Sequence, residues 1–137
     1  MANTLSPWAE QFLREDHVAT VSTINKDGSP FVTTIWYLFQ DDGTIVINTP
    51  AQTQKVKNLR RDPRIAVCMG DETRSVSLYG TVTISEDSNV IRQDLERLTA
   101  RYVKDEAARA STLSFFLQQE RVALHFKPVK VTEFKTF

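Results

Sequence analysis

Two Asp-Gly turns cut the first third of this chain into short β-type runs. Asn25-Lys26-Asp27-Gly28-Ser29-Pro30 separates His17–Ile24 from Phe31–Phe39, and Gln40-Asp41-Asp42-Gly43 separates the latter from Thr44–Asn48. Asp-Gly tolerates the positive φ of a tight hairpin turn, so each pair of runs is expected to fold back antiparallel. The pattern continues with Ile65–Met69, a turn at Gly70-Asp71-Glu72, and a long run over Ser75–Ser85. Gly80 interrupts that run, which signals a bulge or a close backbone approach. Arg121–Phe126 and Val129–Phe134, split by Pro128, close the chain. Short strands joined by hairpins favour a closed or partly closed antiparallel barrel, because closure removes exposed edges. Strands and helices do not alternate regularly, so a doubly wound parallel sheet fits badly. Neither a Gly-rich dinucleotide fingerprint nor a Walker-type loop is present.

Helices are inserted between these strands. Ser6-Pro7 is a capping pair, and Trp8, Phe12 and Leu13 share one face of a helix ending near Asp16. Asp87 or Ser88 caps a longer helix to about Val103, with an apolar stripe of Val90, Ile91, Leu95, Leu98 and Tyr102. Lys104–Arg109 reads as a solvated extension. A short helix with Leu113, Phe116 and Leu117 on its buried side follows.

At 137 residues the chain is expected to be one domain, residues 1–137, with a core that needs no staples. Lys and Arg number 17, as do Asp and Glu, and this balance argues against nucleic-acid or anionic-membrane partners. The single cysteine, Cys68, lies in an apolar run and is expected to be a buried thiol in a reducing compartment. With no charged-then-apolar leader and no membrane-length apolar run, a cytoplasmic protein is expected. His17 and His125 read as hydrogen-bonded structural histidines, and no spacing indicates a metal site.

One stretch carries chemistry. Thr49-Pro50-Ala51-Gln52-Thr53-Gln54-Lys55-Val56-Lys57-Asn58-Leu59-Arg60-Arg61-Asp62-Pro63-Arg64 places a short basic helix between two strands, stopped by Asp62-Pro63. The first N–H groups of a helix lack internal partners, and the helix dipole favours an anion there. Thr53 adds a hydroxyl donor and Lys55 a full charge, which suits a phosphate. The alternative reading is a solvated basic face. As a phosphate ligand too, Lys55 is expected to be an exposed lysine that contributes little to stability.

The order of parts resembles a known family. His17-Val18-Ala19-Thr20-Val21-Ser22-Thr23-Ile24, Asp27-Gly28-Ser29-Pro30, Thr33-Thr34-Ile35-Trp36-Tyr37, the Thr53–Arg64 stretch and Leu78-Tyr79-Gly80 resemble the pyridoxamine-phosphate-oxidase-like, flavin-binding split β-barrel superfamily. The Lys-x-Lys-Asn-Leu-Arg-Arg-Asp-Pro-Arg form is most similar to its deazaflavin (coenzyme F-420)-dependent branch. The resemblance covers residues 17 to about 85, while 87–120 carries little signal.

The resemblance implies a mainly β fold with inserted helices: a six- to seven-stranded antiparallel split β-barrel of the FMN-binding type. It implies a homodimer with the cofactor, deazaflavin or FMN, at the subunit interface. By position, Thr53 and Lys55 hold the cofactor phosphate with backbone help from Gln54. Asn48 and Thr49 lie beside the ribityl chain or ring. Thr33, Thr34, Ile35 and Trp36 line the ring, and Lys57 and Arg61 meet further phosphate or an acidic tail. The implied activity is hydride transfer between a reduced deazaflavin and a small organic substrate. An FMN-dependent oxidoreductase and a non-catalytic flavin- or haem-binding module are the alternatives. The C-terminal region shows no arginine-rich substrate clamp, which separates the chain from a vitamin oxidase proper.

Overall fold

The computed structural model describes residues 4–136; the ends, 1–3 and 137, lie outside the described residues. Four helices and nine strands follow in the order α1 (Pro7–Arg14), β1 (Ala19–Ile24), β2 (Pro30–Ile35), β3 (Leu38–Phe39), β4 (Ile45–Pro50), α2 (Gln54–Arg61), β5 (Arg64–Gly70), β6 (Arg74–Thr81), β7 (Thr83–Ser85), α3 (Ser88–Tyr102), α4 (Glu106–Leu117), β8 (Arg121–Phe126) and β9 (Lys130–Lys135). The strands form two sheets, of order β2-β1-β5-β6-β9 and β3-β4-β8-β7, and every recorded pairing is antiparallel. The fold is the mainly β split barrel with inserted helices that the sequence implied.

The strand count exceeds the expected six to seven because two long runs break. Phe31–Phe39 breaks at Trp36-Tyr37 and Ser75–Ser85 at Val82, and each passes from the five-stranded sheet to the four-stranded one. The two sheets thus share strands without closing a continuous ladder. Gly28 and Gly43 hold φ of +88° and +89°, the left-handed geometry the two hairpin turns demand. Gly80 marks a close approach: a Cβ there would lie 3.0 Å from both the Lys127 carbonyl oxygen and the Phe126 ring.

The core lies between the sheets. Phe12 and Leu13 of α1, Val21, Tyr37, Ile45, Ile47, Val67, Leu78 and Leu124 are all fully buried within it. Alternation sets the two faces of each strand. In β5, Ile65, Val67 and Met69 point inward, so Ala66 and Cys68 occupy the outer face. Cys68 is therefore half-buried rather than the buried core thiol expected, opposite Thr20 on β1 and Ser77 on β6.

The helices hold two further differences. Ser6 stands at the N-cap of α1, but its hydroxyl donates to Glu133 (2.7 Å), which ties the helix start to β9. Lys104–Arg109 is no mere extension: the Asp105 carboxylate accepts from the Ala108 N–H and starts α4 at Glu106. Asp87 caps α3 as expected, accepting from the Asn89 and Val90 N–H groups. Buried Asp94 of α3 pairs with His125 of β8, and this fastens α3 over the outer side of the four-stranded sheet. His17 stacks on Phe12 and pairs with Glu15, so both histidines have structural partners. Among the described residues no helix is long and apolar enough to cross a membrane.

Candidate functional site

Strand β4 delivers Asn48 and Thr49, then Pro50 ends the strand and the chain enters α2. Thr53 holds the extended N-cap conformation without capping the helix. Its hydroxyl donates instead to the Pro50 carbonyl (3.2 Å), so it closes the turn rather than aiming a donor outward. The first turn of α2 is thus left without a side-chain cap, which keeps backbone N–H groups available for an anion.

Lys55 differs most from expectation. It is only 6 % exposed, turned inward from the first turn of α2, with Nζ donating to Thr49 Oγ1 at 2.9 Å. Burial, and then the nearby positive charge of Arg121, lower its pKa from 10.5 to about 8. Arg121, at the start of β8, donates from Nε to Asn48 Oδ1 (2.7 Å) and from Nη2 to the Asn48 carbonyl (3.2 Å), and also reaches Gln119. Its guanidinium lies 4.5 Å over the Phe116 ring, and burial pulls its pKa down to about 10. Among the described residues neither cation forms an ion pair with a carboxylate. Two desolvated cations that repel each other are stabilised by an anion placed against them.

Arg121 was not singled out in the sequence. It stands far from the basic helix in the chain, and only the β4–β8 register, which sets Asn48 opposite Ala123 and Pro50 opposite Arg121, brings it there. An arginine opening an otherwise apolar strand was the one available signal.

A cleft of about 260 Å³ lies beside this pair. Trp36, Ile35, Val18, Leu95, Leu98 and Phe116 form its apolar wall, and Thr34, Asn48 and Arg121 its polar edge. Strand β2 is the edge of its sheet, so its last residues open onto the cleft as the chain crosses to the other sheet. Of the residues singled out by sequence, Thr34, Ile35, Trp36 and Asn48 line the cleft, and Thr49 and Lys55 are hydrogen-bonded neighbours of one another. Thr33 is half-buried opposite Val21 and is not among the lining residues.

The remaining basic residues of the 55–64 stretch have other partners. Arg60 pairs with Glu86 and Arg64 with Asp62. Arg61 donates to the Ile24 carbonyl, and Asn58 donates to Thr23 and Asn25, so this side of α2 braces the first hairpin. Gln54 extends along the helix to Asn58 (2.9 Å), and Lys57 is exposed on the face away from Lys55. The stretch is therefore divided: one lysine faces inward, and the rest form a bracing or solvated face.

Comparison with known proteins agrees with this architecture. The chain is 31 % identical over 106 residues to the F420H(2)-dependent biliverdin reductase of Mycobacterium tuberculosis (strain CDC 1551 / Oshkosh), covering 74 % of this chain and 77 % of that one. The crystal structure of the conserved hypothetical protein Rv2991 from Mycobacterium tuberculosis superposes with a TM-score of 0.82 at 27 % identity, over 98 % of this chain and 88 % of the other. An F420 reductase superposes with a TM-score of 0.63 at 19 % identity, over 90 % and 94 % of the two chains, and shares the fold. The family model for pyridoxamine 5'-phosphate oxidase matches residues 5–134, which takes in all four helices and reaches into the last strand. On that match the chain belongs to the pyridoxamine 5'-phosphate oxidase family.

Proposed function

We propose that this chain is an oxidoreductase that binds a deazaflavin or FMN and passes a hydride between the reduced cofactor and a small organic substrate. The observation that carries the reading is the pair of buried Lys55 and half-buried Arg121, two desolvated cations without carboxylate partners among the described residues, beside an aromatic-walled cleft. A phosphate on a short polar arm, joined to a flat ring, has that combination of needs. The name of the biliverdin reductase relative tips the choice towards the deazaflavin.

The cofactor, when bound, supplies the hydride chemistry itself. This chain's residues bind, orient and shield. Lys55 and Arg121 neutralise the phosphate with charge-assisted hydrogen bonds, helped by the open N–H groups of Gln54 and its neighbours at the start of α2. Asn48 and Thr49 hold the two cations in place and face the polar arm. Thr34, Ile35 and Trp36 flank the ring, with Thr33 behind them on the inward face of β2, while Leu95, Leu98 and Phe116 exclude water from it. Lys57 and Arg61 border the outside of α2, where an acidic tail of a deazaflavin would extend. Among the described residues no carboxylate or histidine lines the cleft. On this reading the proton for the product comes from solvent, from the substrate or from a second subunit.

The second subunit belongs to the reading. Val32 and Phe134 are 58 % and 62 % exposed on the outer face of the five-stranded sheet, among Thr20, Ser22, Cys68 and Ser77. Exposed Val18 and Thr34 continue this face to the rim of the cleft. A second copy on this face would cover the apolar patch and close the site, as a homodimer with cofactor at its interface requires. The chain would act as a single cofactor-binding domain in the cytoplasm.

The test is turnover: reduced coenzyme F-420 and FMN, each with a panel of small electron acceptors. Oxidation well above the free-cofactor rate supports the oxidoreductase. Tight binding with no turnover would replace it with a storage or sensing module.

A further inference from the structure

The break between β2 and β3 removes Tyr37 from the sheet ladder, and the end of α3 takes over its backbone groups. The Tyr37 N–H donates to the Tyr102 hydroxyl oxygen (3.3 Å), and Arg101 Nη1 donates to the Tyr37 carbonyl (2.7 Å). Tyr102 in turn donates its proton to the His17 carbonyl (2.6 Å). With the phenol fixed at its oxygen, its ring lies flat on Trp36: the centroids are 4.9 Å apart and the planes 8° from parallel. Phe116 meets the Trp36 ring edge-on at 5.9 Å. One face of Trp36 is therefore covered and one edge braced, and what remains lines the cleft. Helical spacing alone made Tyr102 one more member of the α3 stripe.

We propose that Tyr102 is a positioning residue: through the stack it holds Trp36 as a fixed platform against which a flat conjugated ring packs in the cleft. The proposal rests on the functional reading above for the identity of that ring. Aromatic stacking has a preferred offset geometry, and a tryptophan free to rotate loses part of that preference to entropy. A platform held in advance spares the bound ligand that ordering cost. Tyr102 is not itself among the residues that line the cleft; its effect passes through Trp36.

The experiment uses full-length protein carrying Trp8→Phe, which leaves Trp36 as the reporter. Tyr102→Leu removes the stack, and Tyr102→Phe keeps the ring while losing the hydroxyl. Time-resolved anisotropy of Trp36 without ligand reads the platform directly. Dissociation constants for FMN and for inorganic phosphate are then measured on the same samples. Tyr102→Leu is expected to free the Trp36 ring and to weaken FMN roughly three- to tenfold, the range for losing one aromatic pairing. Phosphate affinity should stay within about twofold, because Lys55 and Arg121 hold the phosphate independently. Tyr102→Phe should restore the restricted anisotropy and most of the FMN affinity. An unchanged Trp36 anisotropy in Tyr102→Leu overturns the proposal, and so does equal weakening of FMN and phosphate, which marks general damage to the fold. If the parent protein binds no flavin, the functional reading fails on its own. The anisotropy of ligand-free protein still decides whether Tyr102 fixes Trp36.

Discussion

Lys55→Met should stabilise the protein while crippling its anion site. The lysine ammonium titrates near 10.5 in an unfolded chain and near 8 in the fold, because burial and Arg121 both oppose its charge. At about 1.4 kcal/mol per pKa unit, keeping that charge in the folded protein costs up to about 3 kcal/mol. The sign follows from proton counting. Between pH 8 and 10.5 the unfolded chain binds more protons than the fold, so stability rises with pH across that window. The cost is complete below pH 8 and gone above 10.5. Methionine keeps most of the length without charge, but it removes the hydrogen bond to Thr49, worth about 1 kcal/mol. The net gain at pH 7 should therefore be about 1–2 kcal/mol. Urea unfolding of both proteins at neutral pH and at the alkaline end of the window measures it. The gain should shrink to nothing, or reverse, at high pH. A variant less stable than the parent at pH 7, or a gain indifferent to pH, would refute the electrostatic account of this lysine.

Three further substitutions probe the frame around it. Arg121→Met should weaken binding of a phosphate-bearing ligand by about 1.5–3 kcal/mol, roughly 10- to 150-fold, measured by titration calorimetry with FMN. Gly80→Ala should destabilise by about 1–3 kcal/mol in denaturant unfolding, since the new Cβ meets the Lys127 carbonyl, which is backbone and cannot swing aside. Arg60→Ala, which removes only an exposed pair with Glu86, should change stability by less than about 1 kcal/mol in the same assay.

Much of this architecture was legible in the sequence, and particular residues show why the rest was not. The Asp-Gly turns fix local geometry at Gly28 and Gly43, so the hairpins follow from neighbours in the chain. Where a strand leaves one sheet for another is a tertiary matter. Trp36-Tyr37 reads as good strand sequence, and the break is stabilised by Arg101 and Tyr102 from α3, more than sixty positions away. The basic helix was visible as a cluster of charge, but not its division. Lys55 and Lys57 lie two positions apart, about 200° around a helix, so one must turn inward if the other faces solvent. Which does so depends on the strand beneath, where Thr49 waits for a donor. Cys68 was misplaced because an uninterrupted apolar run hides the alternation that sends it to the outer face. Arg121 joins the site only through strand register, which a single sequence does not display.

The central claim is that Lys55 and Arg121 form a phosphate site at the edge of an aromatic cleft. Parallel titrations with FMN and with riboflavin, which share the ring and differ in the phosphate, test it most directly. Two charge-assisted hydrogen bonds of about 1.5–3 kcal/mol each predict that FMN binds at least about a hundredfold more tightly, with the advantage falling as ionic strength rises. Equal affinity for the two compounds, or no binding of either FMN or coenzyme F-420, would contradict the account.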